Sequence, residues 1–81
     1  MHYGLALCLF NRGGAQQAIP EFDQAIARAS DVPEFYFWRG MARRAARDAA
    51  NARNDFARAA ELAATTNPAL AAKAREMMTN L

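Results

Sequence analysis

The sequence predicts an all-α fold of antiparallel helix pairs stacked into a short solenoid, and three observations carry that reading. The chain nearly repeats itself at a spacing of 34 residues: Ala18, Phe22 and Ala25 return as Ala52, Phe56 and Ala59, and Ala6 returns as Gly40 and again as Ala74. A fixed period of roughly 20–50 residues marks an array of helix pairs. Alanine, the strongest helix former, is the commonest residue, and β-branched residues are few: Ile19, Ile26, Val32, Thr65, Thr66 and Thr79. Gly and Pro are sparse, so each tends to mark a boundary.

The elements follow in order. A first helix is expected from about His2 to Asn11, stopped by Gly13-Gly14. A second runs from about Ala15 to Ala29; Pro20 lies close enough to its first turn that at most one backbone hydrogen bond is lost. Ser30-Asp31-Val32-Pro33 reads as a turn whose proline suits the opening of a third helix, from about Pro33 to Ala46. A fourth is expected from about Ala49 to Ala64, and Asn67-Pro68 pairs an N-cap with a first-position proline to open a fifth, to about Asn80.

The break between the third and fourth helices rests on the repeat alone. From Arg39 to Leu62 there is no proline, and no glycine after Gly40, so propensity reads one long helix. The repeat places a break near Arg47-Asp48, with Asp48 as N-cap where Gly14 stands one unit earlier. A continuous helix could not bury Tyr36 and Phe56 in one small core.

The repeated residues have a packing logic. Positions four and three apart share a helix face, so Ala18, Phe22 and Ala25 form a small–large–small stripe. Small residues let a neighbouring helix approach, and the phenyl ring fills the space between them. Ala6, Gly40 and Ala74 serve the same close approach on the first helix of each unit.

These residues resemble the tetratricopeptide repeat family, whose 34-residue pattern is W-x₂-L-G-x₂-Y, then A-x₃-F, then P. In the first unit the matching positions are His2, Leu5, Ala6, Leu9, Ala18 and Phe22; in the second they are Tyr36, Arg39, Gly40, Arg43, Ala52 and Phe56. A closing half unit supplies Leu70, Lys73, Ala74 and Met77. Arg39 and Arg43 stand where the family has Leu and Tyr. The late proline is displaced: Ser30 and Ala64 occupy its place, with Pro33 and Pro68 a few residues on. The resemblance covers the whole chain. It implies a single right-handed solenoid over 1–81, with a first unit over about 1–32, a second over about 33–66 and a capping helix over about 67–81, as a unit of its own or within a longer array.

It also implies where a partner would bind. In that family the first helices of the units line a concave groove that holds peptides or helices. Carried over, the groove here would present Tyr3, Leu7 and Phe10, then Phe37, Met41 and Arg44, then Arg75 and Met78. The clamp by which some members grip a C-terminal carboxylate is not matched, because Leu7 and Trp38 stand where it needs Asn.

Other chemistry is thin. No Gly-rich phosphate loop or nucleophile–base arrangement is present, so no enzyme activity or cofactor is expected. Cys8 is the single cysteine and His2 the single histidine; Cys8 reads as a small buried hydrophobe, and no metal site is expected. Glu21, Asp23, Asp55 and Glu61 read as solvated helix faces. No stretch nears the roughly 20 apolar residues of a membrane span, and no secretory signal opens the chain, which leaves a cytoplasmic location as the expectation.

Arg39, Arg43, Arg44, Arg47, Arg53 and Arg58 are opposed within their stretch only by Asp48 and Asp55. Such a cluster is a solvated face, an anchor for carboxylates through bidentate pairing, or a phosphate-binding patch. A net charge of +2 and the lack of interleaved aromatics after Trp38 argue against nucleic acid. Phe35, Tyr36, Phe37 and Trp38 point to different sides of a helix. Tyr36 takes the packing position, and the others go to neighbouring helices or, for Phe37, to the groove.

From Met1 to Asn11 there is no charged residue. Tyr3, Leu5, Leu7, Cys8, Leu9 and Phe10 encircle that helix, and a helix apolar all round is normally buried all round. Self-association as a homodimer through Leu5, Leu7, Cys8 and Leu9, or packing on a further repeat, is therefore expected. The function expected overall is a non-catalytic module that binds a protein or peptide partner; the alternative is a structural module that self-associates or packs within a longer protein.

Overall fold

The computed structural model describes residues 13–81. Four helices follow one another with no strand among the described residues: α1 Ala15–Arg28, α2 Pro33–Ala45, α3 Ala49–Ala63 and α4 Pro68–Thr79. They are the second to fifth helices the sequence predicts, and each observed end lies within a residue or so of the expected one. The first expected helix lies outside the described residues, and with it Tyr3, Leu5, Leu7, Cys8, Leu9 and Phe10.

Each helix packs on the next in sequence, α1 on α2, α2 on α3 and α3 on α4. Short turns between packed helices make neighbours antiparallel. The repeat positions form the contacts. Phe22 and Phe56 are the two largest fully buried side chains, flanked by buried Ala18 and Ala25 in α1 and by buried Ala52 and Ala59 in α3. Gly40 and Ala74 are the matching close-approach positions of α2 and α4, both buried. A Cβ added to Gly40 would lie 2.9 Å from Phe56 Cε1, 3.0 Å from Cδ1 and 3.2 Å from Asp55 Cβ. The spacing between α2 and α3 thus depends on a missing methyl.

The core has two parts. Phe22, Ala18 and Ala42 pack with Ile19 between α1 and α2. Phe37, Phe56, Ala52, Ala59, Ala60, Ala74 and Met77 pack between α2, α3 and α4. Trp38 touches both clusters, and its ring meets Phe37 edge-on at 5.3 Å, a favoured aromatic arrangement.

The helix ends explain the boundaries. Gly13 adopts φ 81°, which only glycine accepts without penalty. Pro20 sits on the exposed side of α1 without ending it. Pro33 is the first residue of α2. Asn67 Oδ1 accepts from Leu70 N at 3.2 Å to cap α4.

The expected break after α2 is present. Asp48 N donates to Arg43 O at 2.8 Å and Arg47 N to Arg44 O at 3.0 Å, the paired bonds of a Schellman stop. Arg47 occupies the left-handed position of that stop at φ 65°, where glycine is the usual residue. Asp48 then caps α3, its carboxylate accepting from Asn51 N at 3.4 Å and from Asn51 Nδ2 at 2.7 Å. Those bonds, the side-chain amide's foremost, hold the Asp48 carboxyl below its ordinary value. The break thus requires neither proline nor glycine; hydrogen bonding at Arg47-Asp48 supplies it.

Candidate functional site

The departures Arg39 and Arg43 define the most ordered polar feature of the described chain. They lie four residues apart on α2 and so share one face. Opposite them α3 presents Asp55, next to the core ring Phe56. Arg39 donates through Nε to Asp55 Oδ2 at 3.0 Å and through Nη2 to Oδ1 at 2.7 Å, and Arg43 Nη1 donates to Oδ2 at 2.9 Å. Arg39 Nη1 also donates to Asp23 Oδ1 of α1 at 2.7 Å, so one guanidinium joins three helices. Asp55 is 2% exposed. It is no solvated-face residue, correcting the expectation for it, whereas Asp23 and Glu61 are exposed and Glu21 half-buried.

Burial works to lower the Arg39 pKa, but the hydrogen bonds and charge of Asp55, and then of Asp23, outweigh it and hold it above its ordinary value. Tyr36 braces the group: its ring lies 5.6 Å from the Arg39 guanidinium and 5.9 Å from that of Arg58, and its hydroxyl donates to Ser30 O at 2.9 Å. Arg58 also pairs with Glu61 at 2.8 Å.

The six arginines therefore divide. Arg39, Arg43 and Arg58 are bound to carboxylates of the chain. Arg44, Arg47 and Arg53 are exposed and make no ion pair among the described residues.

Of the predicted groove residues, five are described. Met41 and Met78 are half-buried and pack on the Phe37–Phe56 cluster. Arg44 and Arg75 are exposed, and Arg44 Nη1 reaches Met77 Sδ at 4.0 Å. Phe37 differs from the expectation. It is 6% exposed and meets Phe56 edge-on at 5.7 Å, because its position on α2 points between α3 and α4. Phe37 is a core ring and offers little surface to a partner. The other predicted contributors, Tyr3, Leu7 and Phe10, and the self-association residues Leu5, Leu7, Cys8 and Leu9, lie outside the described residues.

Two contributors were not anticipated. Met77 enters through its contact with Arg44, and the apolar pattern of α4 pointed to it. Asp55 enters through Arg39 and Arg43; the signal was two arginines on an otherwise apolar face, which require a carboxylate opposite. Among the described residues no group of three or more His, Cys, Asp or Glu side chains converges as a metal site would need, and no helix is long and apolar enough to cross a membrane.

Antiparallel helices packed in sequence, with Phe22 and Phe56 in matching sites, define a helical-repeat protein with the tetratricopeptide-type fold. Its architecture is similar to that in the crystal structure of PcrH from Pseudomonas aeruginosa, with a TM-score of 0.91 and 27% sequence identity over 98% of this chain. The chain spans 61% of the length of PcrH. No protein-family model matches the chain, and no curated protein matches it.

Proposed function

We propose that the chain is a protein-interaction module that holds a peptide or helix of another protein along an apolar, arginine-flanked face built from Met41 and Arg44 of α2 and Arg75 and Met78 of α4. The observation that carries this reading is that half-buried Met41 and Met78 lie on one apolar cluster while Arg44, beside Met77, and Arg75 stay exposed with no ion pair among the described residues. Methionine adapts its shape to many apolar partners, while arginine adds orientation through its fork of donors. The likeness to a helical-repeat structure agrees with it, since stacked helix pairs present extended binding surfaces.

Affinity isolation of partners with the intact chain, followed by remeasurement of each with variants, tests it. Met78→Glu and Arg44→Ala are expected to weaken binding while helicity stays unchanged. Gln24→Ala, on the exposed side of α1, is expected to leave binding intact. Partners lost with Gln24→Ala but kept with Met78→Glu would place the interaction on another surface.

A further inference from the structure

We infer that the turn joining α2 to α3 is an electrostatic docking edge for an acidic protein segment, one whose carboxylates meet Arg44, Arg47 and Arg53 while its apolar side chains lie on Met41 and Met78. This rests on the proposed function and specifies the chemistry of the partner.

Charge is the first argument. The stretch holding the six arginines contains two carboxylates, and both are consumed internally: Asp55 by Arg39 and Arg43, Asp48 by the cap of α3. Arg58 is matched by Glu61. Arg44, Arg47 and Arg53 remain exposed, and no carboxylate of the described chain answers them.

Placement is the second. Arg44 reaches Met77 near the end of α4, so the ends of α2 and α4 and the start of α3 lie at one end of the array. Arg44 is in the last turn of α2, Arg47 in the turn itself and Arg53 in the second turn of α3. The three cations thus lie at that same end of the array, with Arg44 beside Met77.

The backbone supplies the third. Arg47 stands in the left-handed position of the helix stop at φ 65°, where glycine would carry no penalty. Its side chain makes no ion pair among the described residues. A residue held in a disfavoured conformation with its cation turned outward fits a role in binding.

A protein segment fits better than a nucleic acid. Three cations beside thioether surface suit a mixed acidic and apolar ligand, whereas binding through phosphates relies on many cations along a track.

The test uses a short synthetic helical peptide with leucines on one side flanked by glutamates, its counterpart with glutamine at every glutamate, and a single-stranded DNA oligonucleotide. All are labelled and titrated against the intact chain by fluorescence anisotropy. The glutamate peptide is expected to bind roughly tenfold tighter than the glutamine peptide. Added salt should narrow the gap, and the combined Arg44→Gln, Arg47→Gln and Arg53→Gln variant should close it. Arg58→Gln should leave it open. Equal affinity for the two peptides, a gap that survives the triple variant, or tighter binding of the oligonucleotide would each overturn the docking edge. If the two peptides bind equally and Met78→Ala weakens both, the groove reading stands and only this inference falls. If Met78→Ala affects neither peptide, the groove reading falls.

Discussion

Arg39 holds Asp55 through two parallel hydrogen bonds, of 3.0 and 2.7 Å, across the interface of α2 and α3. Removing one partner of a buried ion pair leaves the other charge uncompensated, which typically costs about 3–5 kcal/mol. Asp55→Ala should therefore destabilise the chain by about that much, since it strips Arg43 of its carboxylate and leaves Arg39 with only the exposed Asp23. Combining it with Arg39→Leu should recover part of the loss, since an apolar replacement for a buried pair is often nearly neutral. A double-mutant cycle by urea denaturation checks this; additive effects would show that the pair is not coupled. Sodium chloride should change the coupling little, because buried pairs are weakly screened.

Phe22→Ala and Phe56→Ala should each cost about 3–5 kcal/mol, the usual range for truncating a buried phenylalanine. Phe37→Ala should behave in the same way, since its ring packs on Phe56 and Trp38. Circular dichroism and chemical denaturation read all three. A Phe37→Ala chain of unchanged stability would return that ring to the binding face.

Gly40→Ala should destabilise by about 1–3 kcal/mol, as overpacked cores do, although alanine is the better helix former by about 1 kcal/mol. The added Cβ would approach Phe56 Cε1 to 2.9 Å. Thermal unfolding tests this; a higher Tm would mean that the Phe56 ring moves aside at no cost.

Arg47→Gly should stabilise the fold by about 1 kcal/mol, because it relieves a left-handed conformation that L side chains disfavour. The same change should weaken binding of the acidic peptide. Opposite signs in denaturation and in titration are the expected result, and a loss of stability would contradict it.

Asp48 and Asn67 make a paired test of pH. The depressed Asp48 pKa means that its contribution is present above the ordinary carboxyl value of 3.8 and is lost as pH falls through the lower folded value. Asn67 caps α4 without a charge and has no such dependence. Asp48→Asn should keep the cap yet flatten stability against pH below about 4, measured by denaturation in acidic buffers. A pH profile identical to that of the unaltered chain would exclude Asp48 as the titrating group.

Much of the fold was legible because the repeat fixes residues in pairs. Phe22 predicts Phe56, and Gly14 predicts Asp48 as an opener, even where local propensity favours an unbroken helix. The polar network was less legible. One unit earlier Leu5, Leu9 and Glu21 stand where Arg39, Arg43 and Asp55 do, so the period itself carried no hint of an ion pair. Burial of Asp55 follows from the facing helix, which a window along one helix does not see. The burial of Phe37 was hidden for a related reason: a groove position carried over from a family pattern does not say how much of it the next helix covers.

Asp48 takes part in both of the helices it separates. Its N–H closes the end of α2 on Arg43, its carbonyl accepts the first bond of α3 from Ala52 at 3.0 Å, and its carboxylate holds Asn51. Neither helix can fray at this junction without disturbing the other, so the two should open as one cooperative unit. Amide hydrogens at the end of α2 and the start of α3 should then exchange at matching rates. The turn at 64–67 is built alike, for Asn67 N donates to Ala63 O at 2.8 Å while its carbonyl accepts from Ala71 N at 3.0 Å, so an insertion at either junction would disturb two helices at once.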